Sequence, residues 1–312
     1  MLRVTVLASG SKGNCTVVAS SRTRIMIDAG LSCRELLRRM HAAGEEPGKL
    51  DAVLVTHEHQ DHIQGLSVLA RRLNLPVFFT QATHQAWRRW MTPRTTMTFK
   101  AWLASRQALA EESGLATAVA EAPAAIEPLE AESAEGLDAK TEDPAYLPAV
   151  EYFHAGAAFD VGDLRITPFT IPHDAMDPVG FIVEAEGMRV AIATDLGYMS
   201  PNIAMHLRRA DLLMLESNHD LEMLRDGPYP WSVKQRVLSR VGHLSNDAVS
   251  EYLSRDYDGG ARYIVLAHLS ESNNLPELAR LSAERALNGR MSLLGNRVLL
   301  ASQGCPMESV YL

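Results

Sequence analysis

Four side chains of metal-ligand type, His57, His59, Asp61 and His62, fall within six consecutive residues of the run Thr56-His57-Glu58-His59-Gln60-Asp61-His62. The run before it, Ala52-Val53-Leu54-Val55, is short and apolar, as suits a buried strand. From Gly65 to Leu73 the apolar residues recur at helical spacing. The HxHxDH motif therefore sits where a strand turns into a helix, expected from about His62 to Leu73. Two apart on extended backbone, His57 and His59 can point the same way, while Asp61 and His62 lie past the bend and reach toward a second point nearby. Two metal ions are implied. Without a cation, clustered imidazoles would repel once protonated and would bring polar edges that a core must satisfy.

The 312 residues, 46% of them hydrophobic, suffice for one large domain or two modest ones. No apolar run approaches the roughly 18 residues of a membrane span. The N-terminus enters a strand pattern at once (Leu2, Val4, Val6) without a basic stretch and apolar signal core, so a cytoplasmic location without membrane association is expected. Cys15, Cys33 and Cys305 are far apart and form no CxxC, which supports neither a disulfide framework nor a thiolate zinc site. A formal net charge of -8 argues against nucleic-acid binding by bulk positive charge, though not against a local basic groove. The arginine groups Arg34/Arg38/Arg39, Arg71/Arg72 and Arg88/Arg89/Arg94 read either as solvated helix faces or as such a groove.

From Leu2 to Ile27 two or three short strands surround a tight turn, Ser9-Gly10-Ser11-Lys12-Gly13-Asn14, and end at Asp28. A helix from about Ser32 to Ala43 follows, with Ser32 as N-cap and Glu35 closing a capping box. After the motif come a strand at Val77 to Thr80 and a helix from Gln81 to Trp90, in βαβα order. Residues 104 to 146, dense in Ala, Glu and Pro, read as an insertion or flexible loop with a helix at Arg106 to Glu112. Strands resume at Tyr152-Phe153, Leu164 to Phe169, Val179 to Glu184 and Met188 to Thr194. Helices are expected at Pro201 to Ala210, Trp231 to Val241 and Ser245 to Asp256, before the strand Tyr263 to Ala267. The expected fold is α/β: one domain over 1–312, with two sheets packed face to face between helix layers.

A dinuclear site needs about three more protein ligands, and His173, Asp195 and His268 each close an apolar strand-like run. Strand ends are where a scaffold delivers rigid ligands to one rim, although each residue alone reads equally as a cap or a hydrogen-bonded core residue. With these residues in place the chain resembles the metallo-β-lactamase superfamily, whose fold is an αββα sandwich with the metal site at one edge of the sheets. The resemblance implies that His57, His59 and His173 bind one ion, that Asp61, His62 and His268 bind the other, and that Asp195 bridges. It also implies that Asp28 stands behind the histidine loop, orienting imidazole N–H groups.

A finer resemblance, to the YycJ/WalJ (VicX) branch, rests on four segments: Leu7-Ala8-Ser9-Gly10-Ser11-Lys12-Gly13-Asn14-Cys15, Pro172-His173-Asp174-Ala175-Met176-Asp177-Pro178-Val179-Gly180-Phe181, Glu216-Ser217-Asn218-His219-Asp220 and Ala267-His268-Leu269-Ser270-Glu271-Ser272-Asn273-Asn274. The insert between about Ser105 and Tyr146 departs from that branch, where this connection is shorter.

Two divalent ions acidify water, a single zinc already lowering its pKa to about 7, and such a centre suits lactam, thioester or phosphodiester cleavage. The discriminating segment is Gly242-His243-Leu244-Ser245, where His243 precedes a helix N-cap. A histidine there can neutralise a transferring phosphoryl group or protonate the leaving alkoxide; the alternative is that it packs in its loop. The segment is similar to one in phosphodiesterase branches that include ribonuclease Z and ribonuclease J. His219 reads as a supporting residue or a substrate contact, and His84, His154 and His206 as surface or packing residues. The Ser9–Asn14 turn either cradles a phosphate on its amides or only closes a hairpin. The resulting expectation is a dinuclear phosphodiesterase, by branch resemblance a DNA exonuclease acting from 5′ ends, with zinc or manganese bound and iron accommodated. The alternatives are a small-molecule (cyclic or nucleotide) phosphodiesterase and a metal-stabilised regulatory or binding protein without activity.

Overall fold

The computed structural model describes residues 1–92, 104, 143–287 and 295–312. Two compact units divide the chain, one formed by Met1–Trp87 with Leu147–Leu312 and the other by Arg88–Tyr146. The first unit opens with strands β1 (Arg3–Ala8), β2 (Cys15–Ala19) and β3 (Arg24–Ile27) and helix α1 (Cys33–Ala42). Then come β4 (Ala52–Leu54), α2 (Gln60–Ile63), α3 (Leu66–Leu73), β5 (Pro76–Phe79), α4 (Gln81–Met91, whose last turn belongs to the second unit) and β6 (Ala149–Tyr152). A second series follows: β7 (Phe159–Val161), β8 (Leu164–Thr170), β9 (Val179–Ala185), β10 (Met188–Ala193), α5 (Pro201–His206), β11 (Leu212–Glu216), α6 (Leu221–Asp226), α7 (Trp231–Val237), α8 (Asn246–Arg255), β12 (Tyr263–Ala267), α9 (Pro276–Leu287) and β13 (Arg297–Leu300). The last strand, β14 (Val310–Tyr311), returns to pair with β1.

These strands make two seven-stranded sheets, ordered β14-β1-β2-β3-β4-β5-β6 and β13-β12-β11-β10-β9-β8-β7. Each is mixed: β3 to β6 and β10 to β13 pair in parallel, the remaining neighbours antiparallel. The period-2 alternation of a strand explains the layering. Val190, Ile192, Leu212, Met214 and Val265 turn inward and join Val4, Val6, Val18, Ile25 and Leu54 of the other sheet in one buried core. Their neighbours Ala191, Ala193, Leu213, Leu215, Ile264 and Leu266 turn outward and pack under Ile203 of α5, Val249 and Leu253 of α8, and Ala279 and Ala283 of α9. The opposite outer face carries α1 and α3, with Leu36, Met40, Leu66 and Leu69 fully buried. This is the expected αββα sandwich.

Local expectations hold in part. Ser32 caps α1 by accepting the Glu35 N–H at 3.3 Å, but the return half of the capping box is absent, because the Glu35 carboxylate takes Arg38 and Arg39 instead. The helix expected over His62 to Leu73 is two helices. They part at Gly65, whose N–H donates to the Ala29 carbonyl at 2.8 Å and where a Cβ would come within 2.2 Å of the Leu31 carbonyl oxygen. The helices expected to reach Ala210 and Val241 stop at His206 and Val237.

Of the unit Arg88–Tyr146, the described residues show Arg88 facing Asp143 at 3.9 Å, both well exposed. The insertion read over 104–146, with its helix at Arg106 to Glu112, lies outside the described residues except for 104 and 143–146, as does Arg94. No helix among the described residues is long and apolar enough to cross a membrane.

Gly30 presses against the motif: a Cβ there would stand 1.7 Å from the Asp61 carbonyl oxygen. The segment also stitches the motif in place. Asp28 N–H donates to Leu54, Ala29 N–H to His62 and Asn14 N–H to Asp61, at 2.7 to 2.9 Å. Gly30→Ala is therefore expected to destabilise the protein by about 1–3 kcal/mol and to weaken metal retention. Urea unfolding and metal analysis check it, and a wild-type midpoint would contradict this packing.

Candidate metal centre

The two sheets deliver the motif and three distant residues to one rim. His57 and His59 lie between β4 and α2, and Asp61 and His62 lie in α2. His173 follows β8, Asp195 follows β10 and His268 follows β12 directly. Asp28, Asp195 and His268 have left-handed backbone, at φ 61°, 59° and 55°. For a non-glycine residue this costs about 1–3 kcal/mol. At each of these strand ends the chain turns out of the sheet through that conformation.

Partners behind the rings orient them. A carboxylate only accepts, so His62 Nδ1 donates to Asp28 Oδ2 at 2.8 Å and turns Nε2 toward the rim. Thr56 gives its N–H and hydroxyl to the same carboxylate, each at 2.8 Å; its oxygen is left to accept His57 Nδ1 at 3.0 Å. His173 Nδ1 donates to the Gly242 carbonyl at 3.2 Å, and His173 Nε2 stands 3.2 Å from His59 Nδ1. His268 Nδ1 donates to Glu216 Oε1 at 2.9 Å.

In the sequence Glu216 carries no signal beyond its place in the Glu216–Asp220 segment, yet it is the hub of the second half of the site. It is fully buried. Its Oε1 accepts both His243 Nδ1 at 2.8 Å and His268 Nδ1, and its Oε2 accepts the N–H groups of Leu196 at 2.6 Å and Leu244 at 3.2 Å. The inward apolar alternation of β11 gives no hint of this role, because the partners come from three distant segments.

Two sets of residues that could hold a metal ion emerge, each with atoms within 4.8 Å of one another: His57, His59 and His173, and Asp61, His62, Asp195 and His268. A third grouping, Asp195, Glu216, His243 and His268, meets the same distance, but the four hydrogen bonds to Glu216 leave it no oxygen to offer. The donors fit a cation. His57 Nε2, His268 Nε2 and Asp195 Oδ2 are buried without a hydrogen-bond partner, although His62 Nε2 is 3.3 Å and His268 Nε2 3.4 Å from Asp195 oxygens. Buried polar atoms are rarely left so, and a divalent ion between nitrogen and oxygen donors satisfies all of them. Asp195 groups with the second set; the first set lies beside it, with the His57 and His62 ring centroids 4.1 Å apart.

The charges agree with this arrangement. Burial, then the His62 charge, push His57 well below the ordinary imidazole range, and burial lowers His173. Burial also opposes charge on His62 and His268, but the carboxylates of Asp195 with Asp28 and Asp61, or with Asp61 and Glu216, outweigh it and raise both. Burial works against the Asp61 and Asp195 carboxylates, and the neighbouring imidazoles overcome it and lower both.

A model of the metallo-β-lactamase superfamily matches residues 8–233. The chain belongs to the metallo-β-lactamase superfamily. Within the superfamily it is YycJ/WalJ-like. It is 32% identical to the exodeoxyribonuclease YycJ of Bacillus anthracis over 92% of this chain and 89% of that protein, and 30% identical to the exodeoxyribonuclease WalJ of Streptococcus pneumoniae D39 over 90% and 86%. Among solved structures, the metallo-β-lactamase fold protein YhfI from Bacillus subtilis covers 99% of this chain and 100% of its own, with a TM-score of 0.63 and 16% identity. Zinc-bound PqqB from Methylobacterium extorquens covers 98% and 99%, with a TM-score of 0.58 and 16% identity. At that identity the likeness is one of fold. As a superfamily hydrolase, the chain carries histidine and aspartate clusters consistent with a dinuclear metal site.

The structure decides several open readings. Five of the six amides of the Ser9–Asn14 turn are spent within the protein, which leaves no run of them to cradle a phosphate: Ser9 N–H goes to Ser302, Gly10 to the Asn14 side chain, Lys12 to Gln303, Gly13 to Gly10 and Asn14 to Asp61. The turn serves the rim instead. Ser9 Oγ accepts the His268 N–H at 2.8 Å, and Asn14 Nδ2 lies 3.0 Å from His62 Nε2 and 3.3 Å from Asp61 Oδ2. Two of the α1 arginines, Arg38 and Arg39, are engaged within the protein as well. Arg38 forks onto Glu35, and Arg39, buried, holds the Leu7 and Gln303 carbonyls. His84 packs on Phe79 and bonds the Tyr152 hydroxyl, and His206 stacks on Phe169. His219 is buried but joins neither ligand set.

Proposed function

We propose that this protein is a dinuclear metal-dependent phosphodiesterase, a DNA exonuclease acting from 5′ ends. In this reading His57, His59 and His173 hold one divalent ion, Asp61, His62 and His268 hold the other, and Asp195 bridges. The nitrogen-rich donor set suits zinc and accommodates manganese or iron. When bound, the two ions supply Lewis acidity and charge stabilisation for in-line displacement at phosphorus.

The observation that carries the reading is His243. Its Nδ1–H is held by Glu216, the carboxylate that also fixes His268, and its ring centroid is 5.2 Å from those of both His173 and His268. Burial opposes charge on His243, but Glu216 and Asp195 prevail and raise its pKa. An imidazole anchored this way keeps its second nitrogen for the departing alkoxide or for the phosphoryl oxygens. Asp61, the ligand carboxylate with the most exposed side chain at 22%, takes up the proton of the attacking water. The relatives named exodeoxyribonuclease support DNA as the polymer.

The test is cleavage of duplex and single-stranded DNA labelled at either end, compared with bis-p-nitrophenyl phosphate and a cyclic nucleotide, under zinc and under manganese. Release of label from 5′ ends supports the proposal. Turnover of the small esters while DNA of every end structure stays intact at low salt would replace it with a small-molecule phosphodiesterase, a reading favoured by the pairing of Arg38 and Arg39 within the protein.

A further positive group for the DNA backbone stands near the rim. Arg240 is exposed, lies over the Tyr198 ring at 4.1 Å and makes no ion pair among the described residues. It directly precedes Val241 and Gly242, whose carbonyls hold the Asp174 N–H and the His173 ring. Arg240→Ala is expected to reduce the slope of log affinity against log salt by about 0.9 on duplex DNA, one phosphate contact, while Arg38→Ala leaves it unchanged. Equal slopes for all three proteins would remove Arg240 from the track.

A further inference from the structure

Beside His243 opens a cavity of about 430 Å³ that His243 and His219 both line and to which no residue of the two candidate ligand sets contributes wall. It falls within the size range of small-ligand sites, about 300–1,000 Å³. His219 is 1% exposed, yet neither ring nitrogen has a hydrogen-bond partner. Its neighbours explain no such arrangement: its own backbone bonds the start of α8 through Asn246 N–H, and Asp220 spends its carboxylate capping α6. Leaving a buried polar group unsatisfied costs about 1–3 kcal/mol, so a ring placed here with both nitrogens open is matched to something that enters the cavity.

The lining states what that is. Tyr198, Leu221 and Leu238 provide flat and apolar wall, while Glu251 and Asp256 provide acceptors and negative charge. His243 at the edge is the one basic group besides His219 among the described lining residues, and away from it the charged residues, Glu251 and Asp256, are acidic and repel a phosphate, whereas an uncharged group with an aromatic face and its own donors and acceptors meets all of these surfaces. Burial brings His219 down to about 4, so near neutrality the ring is uncharged and offers one donor and one acceptor.

We infer that this cavity is a subsite for the terminal nucleoside of the substrate, with the His219 ring hydrogen-bonding it and His243 standing between it and the scissile phosphate. The inference rests on the phosphodiesterase reading and deepens it. A nucleoside seated here next to His243 sets the first phosphodiester at the metal rim, and the acidic lining keeps a second phosphate from following it in.

Two variants of the metal-loaded full chain test it: His219→Ala, and Leu238→Trp, which fills the mouth from a half-exposed position. The readouts are kcat and KM on a nucleotidyl substrate whose phosphate is carried on the 3′ oxygen, as at a 5′ end, thymidine 3′-(p-nitrophenyl phosphate), and on methyl p-nitrophenyl phosphate, which has no nucleoside. Both variants are expected to raise KM on the nucleotidyl ester about tenfold or more, and to lower its kcat/KM relative to the methyl ester by the same factor. Equal losses on both esters would make His219 merely structural, and no change on either would leave the cavity to water; either result overturns the subsite.

Nucleoside binding separates this inference from the reading beneath it. Deoxyadenosine or thymidine titrated at millimolar concentration should shift the His219 ring-proton resonances in wild type and not those of Leu238→Trp, whether or not any ester turns over. Binding without phosphodiester turnover sinks the proposed reaction and keeps the subsite; turnover without binding does the reverse.

Discussion

Asp195→Ala is expected to lower metal occupancy at both positions at once, with turnover falling by at least about 10³-fold, whereas His268→Ala chiefly empties one. Asp195 is 2% exposed, sits in left-handed backbone and leaves Oδ2 without a hydrogen-bond partner, 3.3 Å from His62 Nε2. It is also the carboxylate that contributes most to overcoming burial and keeping charge on His62 and His268. Removing it deletes a ligand and leaves two buried imidazoles with less compensation, so each remaining set binds a cation less well. Metal analysis after dialysis, with zinc and with manganese, reads the result against a wild type approaching two equivalents. Small and equal losses in the two variants would count against a bridging carboxylate, and a wild type that stays near zero equivalents after reconstitution would remove the dinuclear centre.

The next largest effect belongs to His243. His243→Ala should keep fold and metal content while phosphodiester turnover falls by about 10²-fold or more, the usual loss for a general acid or charge stabiliser. Glu216→Gln separates positioning from chemistry. An amide cannot accept two N–H bonds at one atom as strongly as a carboxylate does, so both His243 and His268 lose their anchor. Metal affinity should then fall about 10- to 100-fold, as for other groups behind a ligand, together with turnover. If His243→Ala turned over phosphodiesters at the wild-type rate, the main reason for preferring them to acyl substrates would be gone. If Glu216→Gln kept full metal affinity, Glu216 would hold His243 alone.

Much of this centre was legible before folding. The HxHxDH spacing announces its own chemistry because residues so close along one strand-to-helix bend face two neighbouring points whatever surrounds them. His173, Asp195 and His268 stood out because each ends an apolar run, and a buried strand leaves its polar residue at the sheet's edge. The two-sheet architecture followed from the period-2 runs on either side of the 104–146 insert.

What the sequence could not order was everything that depends on which strand lies beside which. Glu216 reads as the last residue of an apolar strand. Only the parallel pairing of β11 with β10 and β12 sets it under Leu196, Leu244, His243 and His268 together. The Ser9–Asn14 turn reads equally as an anion cradle or as a turn that only closes a hairpin, because free amides in a Gly/Ser turn cannot be told from spent ones until Ser302, Gln303 and Asp61 arrive from distant parts of the chain. Arg38 and Arg39 looked available for phosphate until helix geometry gave them Glu35 three and four residues away. His219 looked undecided. Metal-ligand types and their strand-end positions are local properties, so the sequence by itself determined them; hydrogen-bond satisfaction is a property of neighbours brought from far apart, so only the tertiary structure decided which polar groups were spent and which stayed open.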